Sequence, residues 1–209
     1  MKTNLKFLII GILLILCSGF SPSQKNFFDK IQSKHTKKSK SKIIDFDLKK
    51  STFKWTGYGE IGGYSLSGTI YLKTGNFKLE NNNIKRGTII IDMTSIKHSD
   101  NHLKEHLIGE DFFEVDKYPK ATFMILNSKK IGSNEVEVFG NMTVKKITKP
   151  IVIRMKQNQN NYAGTISINR TVFGVHYNSK SFFDNLGDQA IKDDFDLEFN
   201  LVGNERFLN

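Results

Sequence analysis

The strongest constraint on how this chain can fold is a two-residue alternation of apolar and polar side chains. The clearest row lies between residues 191 and 201, where apolar side chains share one parity and charged or polar side chains share the other. Only Asp193 breaks the apolar row. Successive side chains of a β-strand point to opposite faces, so this pattern predicts a strand with one dry and one wet face.

The same alternation recurs along most of the chain. Further rows occupy residues 53–55, 64–72, 77–79, 136–144 and 162–168. Three other segments are apolar on both parities, which predicts strands covered on both faces: 88–93, 121–126 and 151–155. Turn residues separate these segments at 74–76, 81–83, 132–134 and 158–161.

This many short strands indicates an all-β fold, an antiparallel sandwich or barrel. The wet faces carry too many charges to pack against a second layer, which favours a single closed barrel of about eight strands. A barrel of that size can hold one small ligand.

Two segments interrupt the strands. Residues 99–119 predict a short helix, capped by Ser99 or Asp100 and ended at Gly109, followed by an aromatic loop. Residues 178–190 predict a second loop. We expect both insertions to cover an end of the barrel.

The N-terminus has the layout of a secretory signal peptide, assigned to residues 1–19. Basic residues precede a short apolar run at 7–16, which as a helix reaches about 15 Å, half the hydrocarbon core of a membrane. The chain's single cysteine, Cys17, follows that run. Two interpretations remain open: cleavage before a lipid-modified Cys17, or ordinary cleavage after Gly19. We therefore expect an exported protein, periplasmic or a membrane-anchored lipoprotein.

The formal net charge of +10 is concentrated ahead of the strands. Residues 20–42 carry a run of lysines and predict a flexible linker, with contact to anionic lipid headgroups as the alternative. The barrel domain, residues 43–209, is nearly neutral, and lysine far outnumbers arginine. These features argue against a nucleic-acid partner.

Several motifs resemble the YceI-like family of exported bacterial proteins. They are W-T-G (55–57), S-G-T-I (67–70), I-D-M-T-S-I (91–96), the run from His106 to Phe123, V-F-G-N-M-T-V (138–144), I-T-K-P-I (147–151) and N-R-T-V-F-G-V-H-Y (169–177). The resemblance implies a lipocalin-like antiparallel barrel whose apolar cavity holds a polyisoprenoid or similar amphiphilic lipid, without catalysis and without a cofactor. The branch with this W-T-G start often has histidine where this chain has Leu66.

The apolar parity and the resemblance together predict the residues of the cavity or its mouth. They are Phe53, Trp55, Leu66, Ile70, Phe112, Phe113, Phe123, Met142, Ile166, Ile168, Arg170, Phe173, Phe182, Phe183, Phe195 and Phe199. Arg170 has the same parity as the apolar residues Ile166 and Ile168, so its charge points to the dry face and needs a polar or charged partner. It can pair with Asp193 to close one end of the barrel, or meet the polar head of a ligand.

Two other functions compete with lipid binding. One is a stress-related or interaction module whose barrel is filled by its own side chains. The other is a metal-dependent enzyme that uses His98, His102 and His106, spaced four residues apart. The sequence carries no G-x-S-x-G, P-loop or helix-opening G-x-G-x-x-G motif. We expect no metal site and no catalysis, and a monomer or homodimer.

Overall fold

The computed structural model describes residues 41–207, which form a closed antiparallel barrel with one short helix. The fold class expected from the sequence is confirmed. The elements are β1 (Ser41–Phe46), β2 (Thr52–Tyr58), β3 (Ser65–Glu80), β4 (Asn83–Lys97), α1 (Asn101–Ile108), β5 (Lys120–Lys130), β6 (Glu135–Val144), β7 (Ile147–Asn158), β8 (Asn161–Asn169) and β9 (Asp194–Phe207). Single 3₁₀ turns lie at Thr171–Phe173 and Gly187–Gln189.

Nine strands occupy eight positions around the barrel. The order β3-β2-β9-β8-β7-β6-β5-β4 returns to β3, because β3 also pairs with β4. β1 and β2 share one position between β3 and β9: β1 pairs with the second half of each neighbour and β2 with the first half of each. The buried hydroxyl of Ser51 accepts a hydrogen bond from the N–H of Val202 at 3.1 Å, which ties the break between β1 and β2 to β9.

β3 runs without interruption through residues 74–76, so the turn predicted there is wrong. The ladder to β4 has a bulge between Leu72 and Thr74, which absorbs the irregularity that the sequence presented as a turn. A Cβ at Gly75 would lie 3.0 Å from the Phe46 ring, so glycine permits close packing here. The first strand, absent from the sequence prediction, starts at Ser41.

The prediction that 121–126 and 151–155 are covered on both faces is also wrong. Met124, Leu126 and Val152 are 51%, 56% and 49% exposed, while Phe123, Ile125 and Ile153 are buried inside. A single-layered barrel leaves the outer face of every strand to solvent, whatever side chains it carries. These strands therefore present apolar residues outward, where no second layer covers them among the described residues.

The two ends of the barrel differ in construction. At one end the lumen is filled by packed side chains: the Phe77 ring centroid lies 4.6 Å from that of Phe46 and 5.0 Å from that of Tyr162, both edge-on, with Ile44 and Leu79 fully buried beside them. We call this the closed end. The opposite end, which we call the mouth end, carries α1 and the segments 109–119 and 170–193. No helix within 41–207 has the length and apolar character needed to cross a membrane.

Candidate functional site

An apolar cavity of about 170 Å³ occupies the barrel between the closed end and the mouth end. Phe77, Val138 and Leu201 line it toward the closed end. Trp55, Leu107 and Lys192 line it toward the mouth end. The inward faces of the strands and one side chain of α1 therefore enclose a single elongated space.

Most of the predicted site residues line this cavity. They are Phe53, Trp55, Ile70, Phe112, Phe113, Phe123, Met142, Ile166, Ile168, Arg170, Phe173, Phe195 and Phe199. Ile166 and Leu197 are directly paired across β8 and β9, and both are only partly buried although they face inward. Both line the cavity, so this pair is part of its wall.

Three of the residues predicted for the cavity or its mouth do not line the cavity itself and are exposed at the mouth end. Leu66 pairs with Gly57 at the tip of the β2–β3 hairpin and is 41% exposed, because the hairpin projects beyond the level at which the barrel closes. Phe182 and Phe183 lie in the 178–190 loop and are 51% and 50% exposed. Their side chains stay on the outer surface at the mouth end.

Several lining residues were missed by sequence reasoning. β4 contributes Ile89, Ile91, Met93 and Ile96, and the covering segments contribute Leu107, Val175 and Ile191. Ile89, Ile91 and Met93 lie on the same face of β4. The alternation was not visible in the sequence, because Ile90 between them is also apolar. Leu107 is one of three apolar residues on a short helix, with Leu103 and Ile108, and this pattern does not reveal what the helix covers.

Arg170 is buried beside the cavity, 2% exposed, and its guanidinium is held by the backbone of the covering segment. It donates hydrogen bonds to the carbonyl oxygens of Val175 at 2.9 Å, Ile191 at 3.1 Å and Lys192 at 3.1 Å. A carboxylate oxygen of Asp193 lies 3.9 Å from Nη2, which is the pairing expected from the sequence. This geometry fits the structural role expected from the sequence, in which Arg170 and Asp193 close one end of the barrel. Three N–H donors of the guanidinium are already used by backbone carbonyl oxygens.

The surroundings of Arg170 and Asp193 shift the pKa of both side chains. Burial lowers the pKa of Arg170 from its ordinary value, and the charge of Asp193 opposes that shift. Burial by itself would raise the pKa of Asp193, but hydrogen bonds from Ser179 and Ser181 and the charge of Arg170 bring the pKa below its ordinary value. The lowered pKa of Asp193 favours its charged carboxylate, which lies beside Arg170 in the covering segment.

The cavity approaches solvent beside Lys192. This residue lines the cavity and is also exposed, whereas its neighbours in the lining, Gly57 and Ile191, are partly buried. The Lys192 N–H donates to Tyr58 O at 2.9 Å, which holds the segment against the end of β2. We call the opening bordered by Gly57, Ile191 and Lys192 the mouth.

α1 is positioned over the cavity by its caps and by one contact with the opposite segment. Asp100 caps the helix, with a carboxylate oxygen accepting from the N–H groups of His102 at 2.8 Å and Leu103 at 3.4 Å. The His106 ring nitrogen Nε2 lies 2.8 Å from the Tyr177 hydroxyl, which links α1 to the segment that follows β8. Leu107, the buried residue of α1, then faces the cavity.

The three spaced histidines do not converge. His98 lies outside α1 and packs against Trp55 with ring centroids 5.8 Å apart, while the His102 and His106 rings are 6.1 Å apart. Within residues 41–207 no group of three His, Cys, Asp or Glu side chains is placed to hold a metal ion.

Two sequence relatives share the family resemblance. A UPF0312 protein of Pseudomonas savastanoi pv. phaseolicola is 29% identical over 126 residues, covering 54% of this chain and 66% of the relative. Protein YceI of Escherichia coli O6:H1 is 33% identical over 97 residues, covering 45% of this chain and 50% of the relative. The chain thus spans about half to two thirds of the length of these curated relatives.

Two solved structures share the fold. BcnA of Burkholderia cenocepacia has a TM-score of 0.63 at 21% identity, covering 77% of this chain and 100% of that one. A polyisoprenoid binding domain from Saccharophagus degradans, implicated in plant cell wall breakdown, has a TM-score of 0.56 at 11% identity, covering 78% and 98%. The YceI-like domain family matches residues 32–203. The match includes nearly all of the barrel, and the chain belongs to the YceI-like family.

Proposed function

We propose that this protein is an exported, non-enzymatic carrier that holds one polyisoprenoid or similar amphiphilic lipid in its barrel. The observation that carries the proposal is the cavity: one end is packed, the wall is apolar, and the other end reaches solvent at the mouth. Burying an isoprenoid chain there removes apolar surface from water, which is favourable by about 25 cal/mol per Å². The polyisoprenoid binding domain with the same fold supports this ligand class.

The cavity volume limits how much of a ligand lies inside. A cavity needs about 10–15 Å³ to hold one water molecule, so a volume of about 170 Å³ is roughly tenfold larger and can take a short isoprenoid chain. Farnesol, a short isoprenoid alcohol, is therefore a suitable probe. A longer isoprenoid must extend through the mouth or displace wall side chains, and its polar head must stay near Lys192.

The rival hypothesis, a barrel filled by its own side chains, fits less well, because a cavity of about 170 Å³ remains and Ile166 and Leu197 line it. Replacing Ile166 by Trp fills that space from β8. The matched control is Thr165→Trp, because Thr165 is the exposed neighbour on the same strand.

The experiment is uptake of farnesol by the purified chain, measured by native mass spectrometry. Wild type and Thr165→Trp should each bind one molecule. Ile166→Trp should lose binding while keeping the barrel's circular dichroism spectrum. Equal uptake by all three proteins would place the ligand outside the cavity and overturn the proposal.

The proposal includes no catalysis and no metal. Treatment with a chelator should leave both the thermal midpoint and farnesol uptake unchanged. A midpoint that falls on chelation and returns with zinc would instead support the enzyme rival, because a bound metal stabilises the folded state by mass action.

Export and attachment are also proposed. Cys17 lies outside the described residues and is the candidate for lipidation. If it is acylated, the wild-type protein should stay with membranes in high salt and the Cys17→Ser variant should become soluble, because buried acyl methylenes contribute about 0.8 kcal/mol each and salt does not screen them. If both proteins are soluble, ordinary cleavage after Gly19 is correct.

A further inference from the structure

We propose that the mouth end of the barrel docks on an anionic lipid bilayer, from which the cavity takes its ligand. This inference rests on the proposed function, because it names the surface through which a membrane lipid would reach the cavity. It is carried by a patch of exposed apolar side chains and exposed lysines at the mouth end. We call it the docking patch: Ile147, Val172, Phe182 and Phe183, with Lys146, Lys149 and Lys180.

The apolar members of the docking patch are linked by contacts across three segments. Ile147 Cδ1 would lie 3.3 Å from a Cβ built at Gly174, two residues after Val172. The His176 ring nitrogen Nε2 lies 3.1 Å from Thr171 O, and the same ring stacks on Phe182 at 3.8 Å between centroids. Phe183 N–H donates to Ser179 O at 2.9 Å, in the same turn as Phe182. These contacts hold the segments that carry the patch together at the mouth end.

The lysines give the patch a charge that suits anionic headgroups. Within residues 41–207, none of Lys146, Lys149 and Lys180 has a carboxylate oxygen within 4.0 Å. Two of them flank the exposed Ile147, and the third precedes the exposed phenylalanines. Asp184 follows Phe183 as the nearest acid in sequence. Aromatic rings beside lysines suit a bilayer surface, where the rings enter the headgroup region and the lysines attract anionic lipids.

The patch is separated from the cavity by only one or two residues. Val172 is exposed while the next residue, Phe173, is buried and lines the cavity. The loop bearing Phe182 and Phe183 is closed by the hydrogen bond from Ile191 N–H to Asn178 O at 2.8 Å, and Ile191 borders the mouth. A bilayer in contact with the patch would therefore lie next to the mouth.

The closed end carries fewer exposed apolar side chains, namely Ile131 and Phe207. The other residues of its turns are polar and include Asn81 and Asn82, Ser133 and Asn134, and Gln159 and Asn160.

The test compares two variants of the full chain that lose equally exposed apolar side chains. Phe182→Ser with Phe183→Ser removes the aromatic part of the docking patch. Met124→Ser with Leu126→Ser is the matched control on the outer wall. Met124 and Leu126 are 51% and 56% exposed, and Phe182 and Phe183 are 51% and 50% exposed. Both variants keep the lysine-rich N-terminal segment, so its own attraction to anionic lipid cancels in the comparison.

Co-sedimentation with vesicles of phosphatidylcholine and phosphatidylglycerol should fall about tenfold for the phenylalanine variant and stay at the wild-type level for the control. Equal partition of the two variants would overturn the proposal. A change in oligomeric state confined to the phenylalanine variant would also overturn it, because the patch would then be a protein–protein interface.

Ligand delivery separates this inference from the proposed function. Farnesol supplied in detergent micelles should load all variants equally. Farnesol supplied in the same vesicles should load the phenylalanine variant several-fold more slowly. If no protein takes up farnesol by either route, the cavity proposal fails while the sedimentation result still decides whether the patch docks.

Discussion

Arg170 shows how a charged residue can lie beside an apolar cavity when the chain's own backbone accepts its hydrogen bonds. Its guanidinium stabilises three carbonyl oxygens of the segment that covers the cavity, and the Phe112 ring packs 5.5 Å from its central carbon. The sequence identified Arg170 through its parity and named Asp193 as a partner. The carbonyl acceptors were beyond prediction, because they come from backbone whose path is set by tertiary structure.

Replacing Arg170 by Met should destabilise the protein by about 2–4 kcal/mol, because buried carbonyl oxygens lose their donors. Arg154→Met is the control: Arg154 is exposed and pairs with Glu137 on the outer wall, so its loss should cost less than about 1 kcal/mol. Denaturant unfolding measures both. An Arg170→Met variant as stable as the control would contradict the structural role.

Because of Tyr162, the free energy of unfolding should decrease as the pH rises into the alkaline range. Its side chain is fully buried, and burial, with a smaller effect from the charge of Glu205, raises its pKa to about 12. In the unfolded chain the Tyr162 hydroxyl ionises near pH 10, whereas in the folded chain it keeps its proton. The folded state therefore loses stability relative to the unfolded state as the pH rises. The loss should reach about 2–3 kcal/mol between pH 10 and pH 12.

The Tyr162→Phe variant tests that account by unfolding at pH 8 and pH 11.5. The Tyr162 hydroxyl is buried without a hydrogen-bond partner in the described residues, so its removal should leave stability at pH 8 equal or slightly higher. At pH 11.5 the variant should exceed wild type. Identical alkaline losses in the two proteins would refute the prediction.

At the scale of elements, the stability of α1 depends on its N-terminal cap, for which the sequence offered Ser99 and Asp100. The structure assigns the capping carboxylate to Asp100, while Ser99 is exposed and makes no capping bond. Asp100→Ala should cost about 1 kcal/mol and Ser99→Ala close to nothing. Thermal unfolding of both variants measures this. Equal losses, or a larger loss for Ser99→Ala, would reject Asp100 as the cap.

Strands with a clean alternation could be predicted from the sequence, and those without it could not. The 191–201 row gave the inward face of β9, including Phe195, Leu197 and Phe199. In β5 and β7 the outward residues are also apolar, so the inner face was not distinguishable. In β3 the glycine at 75 imitates a turn, and only the ladder with β4 shows that the strand continues.

At the scale of the whole molecule, the barrel is polarised along its axis. Packed aromatic side chains fill the closed end, and the mouth end combines the cavity opening, its covering segments and the docking patch. The sequence predicted the barrel and most of its wall, because the wall repeats along every strand. It did not predict which end closes, since closure depends on side chains brought together from β1, β3 and β8.

The central claim is that the cavity holds one lipid, and native mass spectrometry of the full chain purified from an exporting host tests it most directly. The account predicts a complex heavier than the chain by one lipid molecule, released on harsher activation, and lost in the Ile166→Trp variant. A spectrum showing only the bare chain, even after incubation with farnesol, would contradict it.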